Sequence, residues 1–194
     1  MRRSVRLAVV WLVALAAGCA SDPARFYTLS ATATPGSAQS KLSVAVGPVS
    51  VPAAVDRPQI VVSTSANAVA IDEFNLWASP LQDNIARVVA ENLVALLGTP
   101  RVTLFPQTVT SDMDYRVQIE VRSFESMPGK SAALNAVWTV RRTKDGKTET
   151  GRTSVQEKVQ DTGFDALAAA HSRAIGQMSK DIADAILALA RAPS

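Results

Sequence analysis

The chain has one cysteine and one histidine in 194 residues, and each shortage removes a class of chemistry. A single thiol cannot form an intrachain disulfide, a CxxC redox pair or a thiolate metal centre, so no metal is expected and the fold must be held by its core. No glycine-rich phosphate loop appears, which argues against nucleotide hydrolysis, and no GxSxG elbow is present to expose a nucleophilic serine. No apolar run is long enough to span a bilayer. The longest, Leu7 to Ala17, is about half the ~20 residues a transmembrane helix needs.

That short run is informative by its setting. Arg2, Arg3 and Arg6 precede it, and Ala16, Ala17, Gly18 and Cys19 follow it, which is the layout of a cleavable export signal. Residues 1–18 are expected to be a lipoprotein signal peptide. The sole cysteine, Cys19, stands where a lipoprotein signal peptidase cuts and is the expected lipid-bearing residue. Loss of the three signal arginines brings the Lys and Arg total of 20 level with the Asp and Glu total of 17. The sequence pI near 9.3 is therefore no argument for nucleic acid as a partner, which requires a basic surface on the folded domain. Ala20 and Ser21, which follow the cysteine, lack the aspartate that retains many lipoproteins at the inner membrane. The expected location is the inner leaflet of the outer membrane, facing the periplasm.

Residues 19–40 are rich in Ser, Thr, Ala and Pro, a composition that buries too little apolar surface to order itself and reads as a flexible tether. Such a tether would stretch to roughly 70 Å. Inside it, Phe26, Tyr27 and Leu29 form an apolar island suited to docking on the domain or adding an edge strand. The domain is expected over residues 41–194. Alternation at Leu42, Val44 and Val46 predicts a strand, with further strands at 59–63 and 67–72. Ser79, Pro80, Leu81 and Gln82 predict a helix start with serine at the cap, and Gly98 with Pro100 predicts its end. Strands are expected at 101–105, 115–124, 132–140 and 147–159, the last polar enough for a sheet edge. A final helix is expected from Phe164 to about Arg191, capped by Thr162, with Leu167, His171, Ile175, Met178, Ile182, Ile186 and Leu189 on one stripe. The pattern predicts a single α+β domain, a mostly antiparallel sheet covered on one face by two long helices.

Catalytic candidates are few. His171 lies one helical turn from Leu167 and Ile175, so it reads as a core-facing ring, although Ser172 and Asp165 are close in sequence. Asp112 and Asp114 read as turn carboxylates before a strand rather than paired acids. Trp77 and Trp138 sit among apolar residues and read as core. No catalytic residue and no cofactor are expected, and the chain is not expected to be an enzyme.

Three stretches carry a resemblance: VGPVSVPAAVDRPQIV (46–61), LWASPLQDNIARVVAENLVALLG (76–98) and AAHSRAIGQMSKDIADAI (169–186). Together they resemble the ABC-type transport auxiliary lipoprotein family, of which PqiC names one branch. The most specific pieces are Asp56-Arg57-Pro58-Gln59-Ile60, Trp77-Ala78, Glu91-Asn92-Leu93 and Ala170-His171-Ser172. The chain departs from the family pattern at Ala53 and Ala54, where an aromatic or Leu is common, and at Ser79, where an acid is common. The resemblance implies an auxiliary or docking role beside an ABC transporter and its MCE-domain protein in intermembrane lipid transport, supporting envelope integrity. An alternative is a structural lipoprotein of outer-membrane assembly. Asp56, Arg57 and Pro58 are the candidate partner-binding residues, because two prolines stiffen a loop that would present Arg57. A homo-oligomer is also expected, since MCE proteins form rings.

Overall fold

The computed structural model describes residues 23–36, 40–106 and 113–193. The expected signal peptide, Cys19, Ala20, Ser21 and Asp112 lie outside the described residues. The strands are β1 (Arg25–Tyr27), β2 (Val44–Ser50), β3 (Gln59–Ser65), β4 (Ala68–Trp77), β5 (Val102–Leu104), β6 (Tyr115–Met127), β7 (Ser131–Arg142) and β8 (Thr148–Lys158), and the helices are α1 (Leu81–Leu97) and α2 (Phe164–Arg191).

The α+β class and the two long helices are as the sequence pattern predicts, but the strands divide between two mixed sheets rather than forming one. A five-stranded sheet has the order β5-β2-β6-β7-β8, and a three-stranded sheet the order β1-β4-β3. The long ladders β6–β7, β7–β8 and β3–β4 are antiparallel. Strand β2 pairs in parallel with both β5 and β6, because α1 returns the chain to the starting end before β5, as a parallel pair requires. Polar β8 is an edge strand, as its composition predicts.

Burial follows alternation. Tyr115, Val117, Ile119 and Val121 of β6 face the core, and a register shift after Val121 then moves the buried set to Phe124 and Ser126. In α2 the stripe Leu167, His171, Ile175, Met178, Ile182, Ile186 and Leu189 is buried throughout. Helix α1 ends as predicted, with Gly98 left-handed at φ 60°. The helix starts differ from expectation: α1 begins after Pro80 and α2 after Gly163, neither with a side-chain cap. Asp83 and Asp165 in the first turns supply negative charge there instead. The C-terminus of α2 is held by Arg142, almost fully buried on β7, which donates to the carbonyls of Leu189, Ala192 and Pro193. Arg142 also pairs with Asp145, whose carboxyl is held down to about 2, chiefly by that hydrogen bond.

In the expected tether the apolar island Phe26, Tyr27 and Leu29 adds an edge strand and docks, as its composition predicts, while the polar residues after it depart from expectation. From Arg25 to Gly36 the chain is laid on the domain: β1 adds to the small sheet beside β4, Leu29 is buried, and the following residues run along the two helices. The amides of Thr32 and Ala33 both donate to Asn92 Oδ1 at 2.9 Å, Ser30 N–H donates to Ser172 Oγ at 3.0 Å, and Gly36 N–H to the Ala95 carbonyl at 3.2 Å. Gly176 makes room for this passage, since a Cβ there would lie 2.2 Å from Thr32 Oγ1.

Candidate functional site

The loop that carries Asp56, Arg57 and Pro58 is shaped by its prolines. The Pro52 carbonyl accepts the amides of Val55 and Asp56 at 3.0 and 3.1 Å, closing a turn, and the Pro58 carbonyl then accepts the Trp77 amide at 2.7 Å. One residue on, Ala78 N–H donates to the Tyr27 carbonyl at 2.8 Å. The loop, the end of β4, the start of α1 and β1 are thus stitched together by backbone bonds. They enclose an open groove of about 340 Å³ lined by Asp56, Arg57, Pro58, Trp77, Ala78, Ser79 and Pro80. Two of the most specific sequence pieces, separated by nearly twenty residues, form one surface.

Asp56, Arg57 and Pro58 are all exposed. Among the described residues Arg57 makes no ion pair or side-chain hydrogen bond, and it is not tied to Asp56. The guanidinium keeps its full hydrogen-bonding capacity for a carboxylate or another acceptor brought from outside.

Beneath the groove the floor is a packed aromatic cluster. Trp77 is buried and meets the rings of Phe124 and His171 edge-on at 6.1 and 6.4 Å, while Phe124 and His171 stack at 3.8 Å. His171 is fully buried, and its Nε2 shares a hydrogen bond with Ser126 Oγ at 2.8 Å. Burial pushes its pKa down to about 3, so the ring is neutral at physiological pH. Ser172 is turned elsewhere: its hydroxyl donates to the Ala168 carbonyl at 2.7 Å and accepts the Ser30 amide. The histidine thus serves the core under Trp77, as the stripe position predicts.

Asp114 is structural. Its carboxylate accepts both the amide and the hydroxyl of Ser43 at 2.8 Å, joining the chain ahead of β2 to the start of β6. Trp138 is core, with its indole N–H donating to Thr153 Oγ1 at 3.1 Å. Among the described residues no three His, Cys, Asp or Glu side chains gather as a metal site would require. Sequence reasoning missed Ser126, which reaches His171 only because the register shift in β6 turns it inward. It also missed Asn84, whose carbonyl oxygen accepts Arg87 Nη2 at 2.7 Å where that arginine also holds the Leu29 carbonyl.

Two solved structures share this fold. One, described only as an uncharacterized protein, is 23% identical over 85% of this chain and 99% of its own, with a TM-score of 0.69. The other, a Xanthomonas campestris protein of the DUF330 family, is 19% identical over 87% of this chain and 100% of its own, with a TM-score of 0.68. Among curated protein sequences none matches. The model of the ABC-type transport auxiliary lipoprotein component matches residues 27–183, from the first strand through most of the last helix, and the chain belongs to that family.

Proposed function

We propose that this protein is the docking subunit of an MCE-type ABC system for intermembrane lipid transport. In this reading it is held at the inner leaflet of the outer membrane by acyl chains on Cys19 and supports envelope integrity. It is not an enzyme and needs no cofactor. The observation that carries the reading is the groove, in which Asp56-Arg57-Pro58 and Trp77-Ala78 converge and Arg57 is exposed, with no ion pair among the described residues. The partner would be the MCE-domain protein, with the ABC transporter behind it. A homo-oligomer would match an MCE ring by presenting many modest contacts at once.

Anchor and groove should separate by mutation. Cys19→Ala, exported on an ordinary cleavable signal, should bind the MCE-domain protein in solution yet fail to complement a deletion. Arg57→Glu should leave localisation intact and weaken binding by charge reversal. If neither the native nor the anchorless protein binds any MCE-domain protein, and native crosslinks lead only to barrel-assembly or cell-wall components, the role is structural and not in transport.

A further inference from the structure

The β3–β4 hairpin has an unusual composition around its turn. From Pro58 to Ile71 there is no charged residue, and Ala68, Val69, Ala70 and Ile71 in succession are exposed, so both faces of β4 are open near its start. Large apolar side chains left in solvent concentrate here: Phe26 is 66% exposed, Val69 63%, Ile71 43% and Phe74 43%. All four lie on the neighbouring strands β1 and β4, and together they mark a strip along the small sheet. Scattered exposed apolar residues are ordinary, but a grouped set beside an uncharged run marks a surface that is covered in use; charge enters only at its β1 end, with Arg25, Asp72 and Glu73.

The direction of β1 indicates what covers it. Because β1 runs parallel to β4 with Arg25 opposite Asn75 and Tyr27 opposite Trp77, the chain that precedes Arg25 arrives from the hairpin side, not from the groove side. Only residues 20–24 separate Cys19 from Arg25, so the anchor lies within about 20 Å of Arg25. That equals the rise along β4 from Asn75 back to Val69, six residues at ~3.3 Å. That reach spans the whole of β4, groove end included, so it is the direction of arrival at Arg25 that sets the anchor toward the hairpin end, while the Arg57 groove lies at the other end beside Trp77.

We infer that the β3–β4 hairpin and the strip of Phe26, Val69, Ile71 and Phe74 rest on the lipid leaflet that holds the acyl anchor, which orients the Arg57 groove away from that membrane. The inference rests on the anchoring at Cys19 proposed above. The uncharged apolar stretch at Val69 and Ile71, held next to a bilayer, gains by burying itself at the acyl and headgroup boundary, and Arg25, Asp72 and Glu73 at the far end of the strip stay at headgroup level. The short connection supplies the proximity, so the contact itself can be weak.

The test uses the acylated mature protein in vesicles of phosphatidylethanolamine and phosphatidylglycerol that contain a nitroxide-tailed lipid. Acylation consumes the native thiol, so Val69→Cys, Ile71→Cys, Arg57→Cys and Thr150→Cys each offer a single site for a fluorophore. Labels at 69 and 71 should be quenched several-fold more than labels at 57 and 150. Equal quenching at all four positions, or stronger quenching at 57, with the protein floating on the vesicles, overturns the orientation while leaving the anchor intact. Protein that does not float, with Cys19 unacylated by mass, removes the anchor and this inference together. Disulfide crosslinking of Val69→Cys between copies, without lipid quenching, assigns the strip to a second copy and also overturns it.

Discussion

In the five-stranded sheet the apolar residues of β6 and β7 are sealed, with Val117, Ala136 and Val140 fully buried beneath α1 and α2. In the three-stranded sheet Ile60 and Trp77 are equally sealed, yet Val69, Ile71 and Phe74 on the same strand as Trp77 stand in solvent. Residues of one chemical type thus have two fates, and the difference is whether the protein supplies its own cover. The large sheet is covered by the protein's own helices; on the proposed reading the small sheet carries the surfaces left for others, with the groove at one end and the uncharged tip of the hairpin at the other.

The sharpest way to break this comparison is to put a charge on each side of it. Ile182, in the centre of α2, is fully buried, and Ile182→Asp should cost more than about 4 kcal/mol or abolish folding, because an ionised carboxylate has no partner there. Urea denaturation checks this, and a native-like midpoint would remove α2 from the core. Next in size is Asn92→Ala. Asn92 is fully buried, accepts two amides from the N-terminal segment and donates to Ser179 Oγ at 3.2 Å. Its loss should cost roughly 2 to 3 kcal/mol and raise hydrogen exchange at Thr32 and Ala33; unchanged protection there would mean that the segment is held by something else.

An effect of similar size, seen only below neutral pH, comes from His171. The native ring stays neutral down to about pH 3, whereas an unfolded histidine binds a proton below about 6.5. The unfolded state therefore gains protons first, and stability should fall as pH drops from about 6.5 towards 3, by up to about 1.4 kcal/mol per pH unit. His171→Phe should flatten that decline between pH 6.5 and 4.5, and the same decline in both proteins would locate its origin elsewhere. The smallest expected effect is Ile71→Asp, the counterpart of Ile182→Asp: at an exposed position it should change stability by no more than about 0.5 kcal/mol. A large loss would show that the hairpin is packed.

How far the sequence could be read depended on where partners came from. Both helices and the strands after α1 were legible because their periodicity reports burial against one neighbouring layer. The pairing of β2 with β5 and β6 was not, since a short apolar strand does not record which neighbour it takes or in which direction. The polar stretch from Ser30 to Gly36 differs from the expected tether for a physical reason. Its composition supplies few apolar contacts, but Asn92 and Ser172, polar residues on otherwise apolar helix faces, wait for its backbone amides. Asn92 is buried among the apolar residues of α1, and an amide side chain inside such a face signals a backbone to be satisfied. For the groove, Asp56 to Pro58 were identified as a presenting loop, while its convergence with Trp77 to Pro80 depended on the Pro58 to Trp77 backbone bond, which no local pattern encodes. The uncharged run from Pro58 to Ile71 was visible in the sequence; what it lacked was the direction of β1, which relates it to the proposed anchor.

The docking claim is tested most directly at Arg57, with a photo-crosslinking amino acid in its place, expressed in the native envelope and compared with the same probe at Thr150 on the edge strand β8. A crosslink from position 57, and not from position 150, to an MCE-domain protein is the predicted result. Crosslinks from position 57 to lipid, or only to barrel-assembly or cell-wall proteins, would contradict it.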